Sequence, residues 1–265
     1  MASWEFAAAG PVQAEISLPA GSVSVAAKQT STVTVCLVPA SEAGERLIGE
    51  TEVSFEGGSL TVRVPEKMRV SGNAALDLSI ELPEGSRVTA STAAASLAFS
   101  GELGALEAKT ASGEVCAGPV SGDVNLTSAS GGIRIEATTG EARAETASGN
   151  IFIGRADGDI IAKTASGAVT IGRAGQSATV TSASGDISID GITAGLAETS
   201  SISGDITVAV TPGTGVYLDI STLSGRVSNE LDSDAGGNGE ADLTVACRSI
   251  SGDVRLVRAA PGDPR

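Results

Sequence analysis

The sequence predicts an all-β protein, a parallel right-handed β-solenoid of two sheets with 18 residues per turn and an N-terminal β cap. Three observations predict this fold. A four-residue word recurs at a fixed interval, apolar and polar residues alternate between its copies, and aromatic residues make up only 2% of the chain. Stacked thin β turns fit all three, because a narrow core holds small and β-branched side chains.

The word is TASG or SASG, and its glycines are spaced 18 residues apart. Looser copies end at Gly204, Gly225 and Gly252, and Thr92–Ala95 is a degraded earlier copy. A fixed period of this length is typical of one turn of a repeat architecture. We expect each glycine to bend the chain and the alanine of each word to point into a tight corner. The five regular glycines are Gly113, Gly131, Gly149, Gly167 and Gly185.

Apolar residues occupy the second and fourth positions after most of these glycines, as in Ile151/Ile153 and Val169/Ile171. Alternation with period two indicates strands with one buried face. An antiparallel meander with nine-residue spacing is the rival. The solenoid is favoured because it makes identical words nearest neighbours, whereas a meander separates them by one strand.

The chain is expected to form one continuous structural unit with three parts. In the first part, Ser41–Ile48 is a short helix or a loop, and Trp4, Phe6 and Phe55 are candidate anchors of the cap core. A cap is needed because an open end exposes strand edges and apolar core. The parts are an N-terminal β cap or irregular rungs (1–90), the regular solenoid (91–230), and an acidic loop with a C-terminal strand and tail (231–265).

The net charge of −15 argues against nucleic acid and anionic lipid as partners, since both require clustered cations. The sequence has no histidine and an odd number of cysteines, Cys36, Cys116 and Cys247, which is not a disulfide framework. No signal-peptide pattern and no apolar run of membrane-spanning length is present. We therefore expect a cytoplasmic protein without membrane insertion.

No catalytic motif is found, and without histidine the Ser-His and Cys-His arrangements cannot be built. We predict no enzyme activity and assign no catalytic, cofactor-binding or metal site and no cofactor. The loop Asp232–Asp242 begins like a calcium loop. It lacks an oxygen ligand at its fifth position, Gly236, and a glutamate at its twelfth, Leu243, so we interpret it as a solvated loop.

Other polar patterns have a structural and a functional interpretation, and the structural one is favoured. Glu145 and Lys163 are expected to pair between adjacent turns. Arg155 and Arg173 also stack, either as an anion site or as solvated bases near Asp157 or Asp190. Two outward hydroxyl ladders could bind a lattice or a glycan, or satisfy corner backbone groups. They comprise Thr110, Ser128, Thr146, Thr164 and Ser182, and Ser112, Ser130, Ser148, Ser166 and Ser184.

The repeated words, the opening "GPVQAEISLPAGSVSVAA" and the closing "GVYLDISTLSGRVSNEL" resemble the "putative adhesin" β-strand-repeat family of unknown function. Actinobacterial, cytoplasmic-type members are especially similar. The resemblance covers roughly residues 4–258 and implies the solenoid fold, with no catalytic residues to carry over. We expect a non-enzymatic scaffold or protein-binding module. The alternatives are a self-associating filament and a surface adhesin exported by an unrecognised route.

Overall fold

The computed structural model describes residues 1–65, 75–231 and 242–260, and the chain divides into two units, Met1–Ile133 and Arg134–Arg265. The first unit contains β1 (Ala2–Ala7), β2 (Gln13–Lys28), β3 (Thr32–Pro39), α1 (Glu42–Glu50), β4 (Glu52–Glu56), β5 (Ser59–Arg63), β6 (Leu76–Pro83), β7 (Arg87–Ser100), β8 (Ala105–Ser112), β9 (Val115–Val120) and β10 (Val124–Ser130). The second contains β11 (Ile133–Thr138, which starts on the last residue of the first unit), β12 (Ala142–Ser148), β13 (Ile151–Ala156), β14 (Ile160–Ser166), β15 (Val169–Ala174), β16 (Ala178–Ser184), β17 (Ile187–Ile192), β18 (Gly195–Ser203), β19 (Ile206–Val210), β20 (Val216–Ser224), β21 (Val227–Asn229), β22 (Leu243–Ser251) and β23 (Val254–Arg258).

Parallel pairing one turn apart builds the larger part of the first unit. The long strand β2 pairs in parallel with β7 along both of its halves, and β7 pairs in parallel with β8 and β9. Thr92 stands opposite Thr110, which stands opposite Ser128, so the degraded word occupies the same corner as the regular words. The parallel solenoid is confirmed, and the antiparallel meander is excluded.

The start of the first unit is a cap of antiparallel strands. β1 pairs with β3, β3 pairs with β6, and β4 forms a hairpin with β5. α1 packs on β3 and β6, and its first turn is closed by the hydroxyl of Ser41, which accepts from the backbone N–H of Gly44 at 3.1 Å. Of the two alternatives for Ser41–Ile48, a short helix or a loop, the structure has the helix.

The aromatic residues of the cap are only half-buried. Phe6 on β1 and Phe55 on β4 stack with ring centroids 5.3 Å apart, but the prediction that they and Trp4 anchor the core is wrong. They lie on the edge strands of the cap, and the fully buried side chains are aliphatic, such as Leu37 and Leu60. A thin core packs aliphatic side chains, and the rings close its edge.

The second unit contains stacked layers, where a layer is one turn with a strand in each of the two sheets. Ile151 pairs with Val169 and Val169 with Ile187, each 18 residues apart and each buried. Backbone contact between layers explains the corner glycines. A Cβ on Gly167, whose φ is +144°, would lie 2.1 Å from the carbonyl oxygen of Gly149.

The layers at the C-terminal end do not stack in chain order. β22 pairs with β18 on one side and β20 on the other, and β23 lies in the same way between β19 and β21. The inserted layer, β22 and β23, is therefore an inner layer, and the end layer, β20 and β21, is the outermost. Their backbone contacts follow this order, since a Cβ on Gly225 would meet Gly252 O at 2.0 Å.

The corner alanines lie opposite to their predicted direction. Ala111, Ala129, Ala147 and Ala165 are exposed, whereas the Thr or Ser before each of them is buried. The strand alternation continues through the first residue of the word, so Val124, Leu126 and Ser128 all face inward and Ala129 faces outward. The size of this residue is therefore not limited by the core.

Candidate functional site

Three large apolar side chains form an exposed column at the corner of the last layers. Ile202, Ile250 and Leu223 occupy the position that holds alanine in the regular words, and their exposed fractions are 55%, 51% and 84%. The flanking residues set the order, since Ser249 pairs with both Ser201 and Thr222. The three side chains therefore stack on adjacent layers at about 4.8 Å. We call this column the apolar corner.

An acidic column runs beside the apolar corner. Asp186, Asp205 and Asp253 each follow the glycine of a word, and each Oδ1 accepts a backbone N–H from the next layer. The distances are 2.9 Å from Asp205 N to Asp186, 2.8 Å from Asp253 N to Asp205 and 2.7 Å from Arg226 N to Asp253. These bonds fix the carboxylates in a row, so negative charge borders Ile202 and Ile250, whereas Arg226 occupies the equivalent position beside Leu223.

The two predicted hydroxyl ladders differ in exposure. The ladder that begins at Thr110 is buried, so the prediction that it faces outward is wrong. Thr110 donates to Ser112 O at 3.1 Å and Thr164 donates to Gly149 O at 3.3 Å, which is the corner hydrogen bonding that the sequence favoured. The hydroxyls of Ser128 and Ser182 in the same ladder are buried and have no hydrogen-bond partner among the described residues. The ladder that begins at Ser112 is exposed, and no observation bears on binding by it.

The predicted charged pairs lie where the repeat places them. Lys163 Nζ is 3.8 Å from Glu145 Oε1, and Arg143 approaches the same oxygen at 2.7 Å. Arg155 stands opposite Arg173, and its Nε donates to Asp157 Oδ1 at 2.8 Å. Arg155 is thus neutralised within its own layer, as predicted, and the exposed pairs contribute little to stability.

The calcium-like loop falls mainly on residues 232–241, which lie outside the described residues. Asp242 is described, and its Oδ2 accepts the backbone N–H of Gly215 at 3.4 Å. Within residues 1–65, 75–231 and 242–260, no group of three or more Cys, Asp or Glu side chains could hold a metal ion.

The three cysteines are free thiols in different environments. Cys36 and Cys116 are half-buried, whereas Cys247 is buried in the inserted layer. Burial raises the pKa of the Cys247 thiol, and a hydrogen bond with Thr199 opposes this shift. Cys247 therefore remains protonated at neutral pH and is a poor nucleophile.

One charged pair joins the end layer to the inserted layer. Arg255 Nε and Nη2 donate to Glu230 Oε1 and Oε2, each at 3.0 Å. This two-point hydrogen bond lowers the pKa of Glu230 and raises the pKa of Arg255. Both side chains are largely exposed, so the pair positions the two layers more than it stabilises them.

The apolar corner was not predicted from the sequence, although its signal is present there. The words SISG, TLSG and SISG replace alanine with Ile202, Leu223 and Ile250. Two structural facts show that these replacements form one exposed column. The second residue of the word faces outward, and the inserted layer places Ile250 between the other two.

The described strands define a class, the parallel β-solenoid proteins built from short repeated turns. Residues 13–260 match the Toastrack DUF4097 family, and the chain belongs to that family. No curated protein matches the chain significantly. The described part of the chain contains no helix with the length and apolar character needed to cross a membrane.

Solved structures with similar folds share little sequence with the chain. A "putative adhesin" from Bacteroides fragilis is 10% identical, with a TM-score of 0.47 over 97% of this chain and 96% of that one. A "putative adhesin" from Parabacteroides distasonis is 13% identical, with a TM-score of 0.39 over 97% and 96%. A "putative lipid binding protein" from the same species is 12% identical, with a TM-score of 0.31 over 97% and 96%.

Proposed function

We propose that the chain is a non-enzymatic protein-binding module that holds its partner at the apolar corner. The observation that carries this proposal is the stacking of Ile202, Ile250 and Leu223 on adjacent layers, each more than half exposed. Covering a side chain of this size fully contributes about 1.5–3 kcal/mol. A contiguous apolar patch with a polar rim is a common feature of protein-interaction sites.

The acidic column determines the kind of partner. Asp205 and Asp253 border the apolar corner, and the chain as a whole carries a net charge of −15. A complementary surface presents apolar side chains next to lysine or arginine. Binding should therefore weaken as salt concentration rises, because the flanking charges are exposed and screened.

Site-specific photocrosslinking in the host organism tests this function. A photoreactive residue replaces Ile250 in one variant and Ala147, the equivalent corner position of a regular layer, in another. We expect a reproducible partner from position 250 and none from position 147. The double substitution Ile202→Ser and Ile250→Ser should reduce affinity for that partner at least about tenfold, given the area lost.

A matched control separates recognition from general stickiness. Ala147 and Ala165 are exposed corner residues of adjacent regular layers, as the pairing of Thr146 with Thr164 shows. The variant Ala165→Ile with Ala183→Ile, carrying the photoreactive residue at position 147, creates a similar apolar column without the last layers. If this variant captures the same proteins from position 147, or if position 250 captures none, the proposal is wrong.

We also propose that the protein acts in the cytoplasm. Three free cysteines, with no disulfide among the described residues, support a reducing compartment. Cell fractionation and surface protease treatment test this. Recovery in the cytosolic fraction and resistance to external protease are expected, and surface exposure would instead favour an exported adhesin.

A further inference from the structure

The end layer of the second unit has two unpaired strand edges. β20 pairs only with β22 and β21 only with β23 within the described part of the chain. Each strand therefore presents a row of backbone N–H and C=O groups on its outer side. Such an edge is a template for pairing with another strand.

The core is also incompletely covered at this layer. Val216, Leu218 and Ile220 point inward but are half-buried, and Val227 is 45% exposed. Their partners in the inserted layer, Leu243, Val245, Cys247 and Val254, are 0% exposed. The difference arises because, among the described residues, no further layer covers the outer side of β20 and β21.

The end layer is electrically balanced, unlike the chain as a whole. The segment from Val216 to Glu230 contains two acids and one base, Asp219, Glu230 and Arg226, and Glu230 is paired with Arg255. The segment itself therefore has a net charge of −1, which Arg255 of the inserted layer offsets, although the chain has a net charge of −15. Two copies of so acidic a protein repel each other, but the two end layers add little to this repulsion at the contact itself.

We infer that the end layer pairs with the end layer of a second copy, so that the protein forms a two-fold symmetric dimer. The two unpaired edges belong to opposite sheets, about 10 Å apart. A single peptide strand can pair with one edge but leaves the other edge and the apolar strip between them uncovered. A second end layer presents two edges at the same separation and a matching apolar strip.

The contact is expected to be weak. The nine residues of β20 span about 30 Å, and the layer is about 10 Å thick between its sheets. The shared face is thus smaller than the ~800 Å² per partner of a typical specific interface. A dissociation constant in the micromolar range or weaker follows, so dimer formation must depend on protein concentration.

Sedimentation velocity on the full chain tests the dimer at several concentrations in low and high salt. We expect monomer at low and dimer at high concentration, without larger species. Raising NaCl should strengthen the dimer several-fold, because it screens the repulsion between two acidic copies. This is the opposite of the salt effect expected for the basic partner, so the two proposals can fail independently.

Two variants place a charge at the pairing face, and a third variant serves as the control. Leu218→Lys and Val227→Lys put an ammonium among the inward residues of the end layer and should abolish dimer formation. Ser221→Lys adds the same charge to the exposed outer face of β20 and should leave it intact. Because Val227 is already 45% exposed, its variant remains informative if Leu218→Lys disturbs the layer.

Spin-label distances locate the contact in a background without Cys36 and Cys116. A label at Ser221 lies on the end layer, and a label at Ala147 lies five layers deeper in the same unit. Across an end-to-end dimer the Ala147 pair is about 50 Å farther apart than the Ser221 pair, at ~4.8 Å per layer in each copy. A monomer at all concentrations, a dimer that survives both Lys variants, or a shorter Ala147 distance would overturn the inference.

Discussion

The cap of the first unit and the end layer of the second terminate the same kind of β stack in different ways. In the cap, β1 and β4 are joined over the core by the Phe6–Phe55 stack. In the end layer no aromatic pair spans the sheets, and Leu218 and Ile220 remain half-buried. The difference indicates that the cap is built to end the stack, whereas the end layer is built to be covered.

The charged residues of the two ends differ in a way that supports the same conclusion. Acids on the edge of a sheet prevent another strand from pairing with it, and the cap uses this device while the end layer does not. The end layer instead balances Asp219 with Arg226. On the edge strands of the cap, β1 and β4, the charged residues are all acids, Glu5, Glu52 and Glu56.

The largest expected effect is a loss of free energy of unfolding, compared between a residue of the inserted layer and one of the end layer. Val245 is fully buried in the inserted layer and stands opposite half-buried Leu218. Val245→Asp should destabilise the second unit by roughly 4 kcal/mol or more, because the carboxylate is unpaired in the core. Leu218→Asp should cost about 1 kcal/mol, since its carboxylate can reach water. Urea unfolding measures both, and equal losses would mean that the end layer is as well covered as the inner one.

A smaller effect contrasts the corners of the stack with the cap hairpin. Gly167→Val should cost about 3 kcal/mol or more, because its Cβ would lie 2.1 Å from Gly149 O. Gly57 in the β4–β5 turn has φ +57° and open space around a Cβ, so Gly57→Ala should cost only about 1 kcal/mol of backbone strain. Thermal unfolding of the two variants provides the measurement, and a ranking opposite to this one would contradict the backbone contact between layers.

The repeat predicted the fold well, because the fold of each turn depends on local residue patterns. A buried pair such as Ile151/Ile153 after each glycine specifies strand, face and spacing at once. The interaction surface depends on a non-local fact, the insertion of β22 between β18 and β20. Nothing in the words SISG, TLSG and SISG encodes their spatial order, because all three fit the same corner equally well.

The direction of the corner residues shows a second limit of the sequence. From the sequence, the alanine of TASG is expected to point into the corner and Thr110 to face outward. Strand alternation decides otherwise, and Thr110 compensates for its burial by donating to Ser112 O. A hydroxyl that can bond to its own corner is buried at low cost, so polarity alone does not indicate exposure here.

A thiol comparison sharpens the contrast between the inserted and end layers. Ile220 of the end layer stands directly opposite buried Cys247. Two variants are compared, both without Cys36 and Cys116. One keeps Cys247, and the other carries Ile220→Cys with Cys247 replaced by Ser. The thiol of Cys247 should react with a disulfide reagent at least about 100-fold more slowly than the thiol at position 220. The raised pKa of Cys247 adds to the protection, and the stability it contributes is lost as pH rises above the pKa of the unfolded thiol. Comparable rates would show that the inserted layer opens as readily as the end layer.

The smallest expected effect concerns the bond between these two layers. The two hydrogen bonds from Arg255 lower the pKa of Glu230, so the pair contributes above the pKa of the unfolded carboxyl and is lost as pH falls through the lowered folded value. An NMR titration should show the pKa of Glu230 rising towards its ordinary value in Arg255→Gln. Arg143→Gln, which removes a base from a regular layer, is the matched control and should leave the pKa of Glu230 unchanged.

Because the pair is exposed, Arg255→Gln should scarcely alter global stability, and its effect should be confined to how firmly β21 is held on β23. Faster amide exchange in β21 alone would show this directly, whereas faster exchange throughout the inserted layer would mean that Glu230 and Arg255 hold both layers in place.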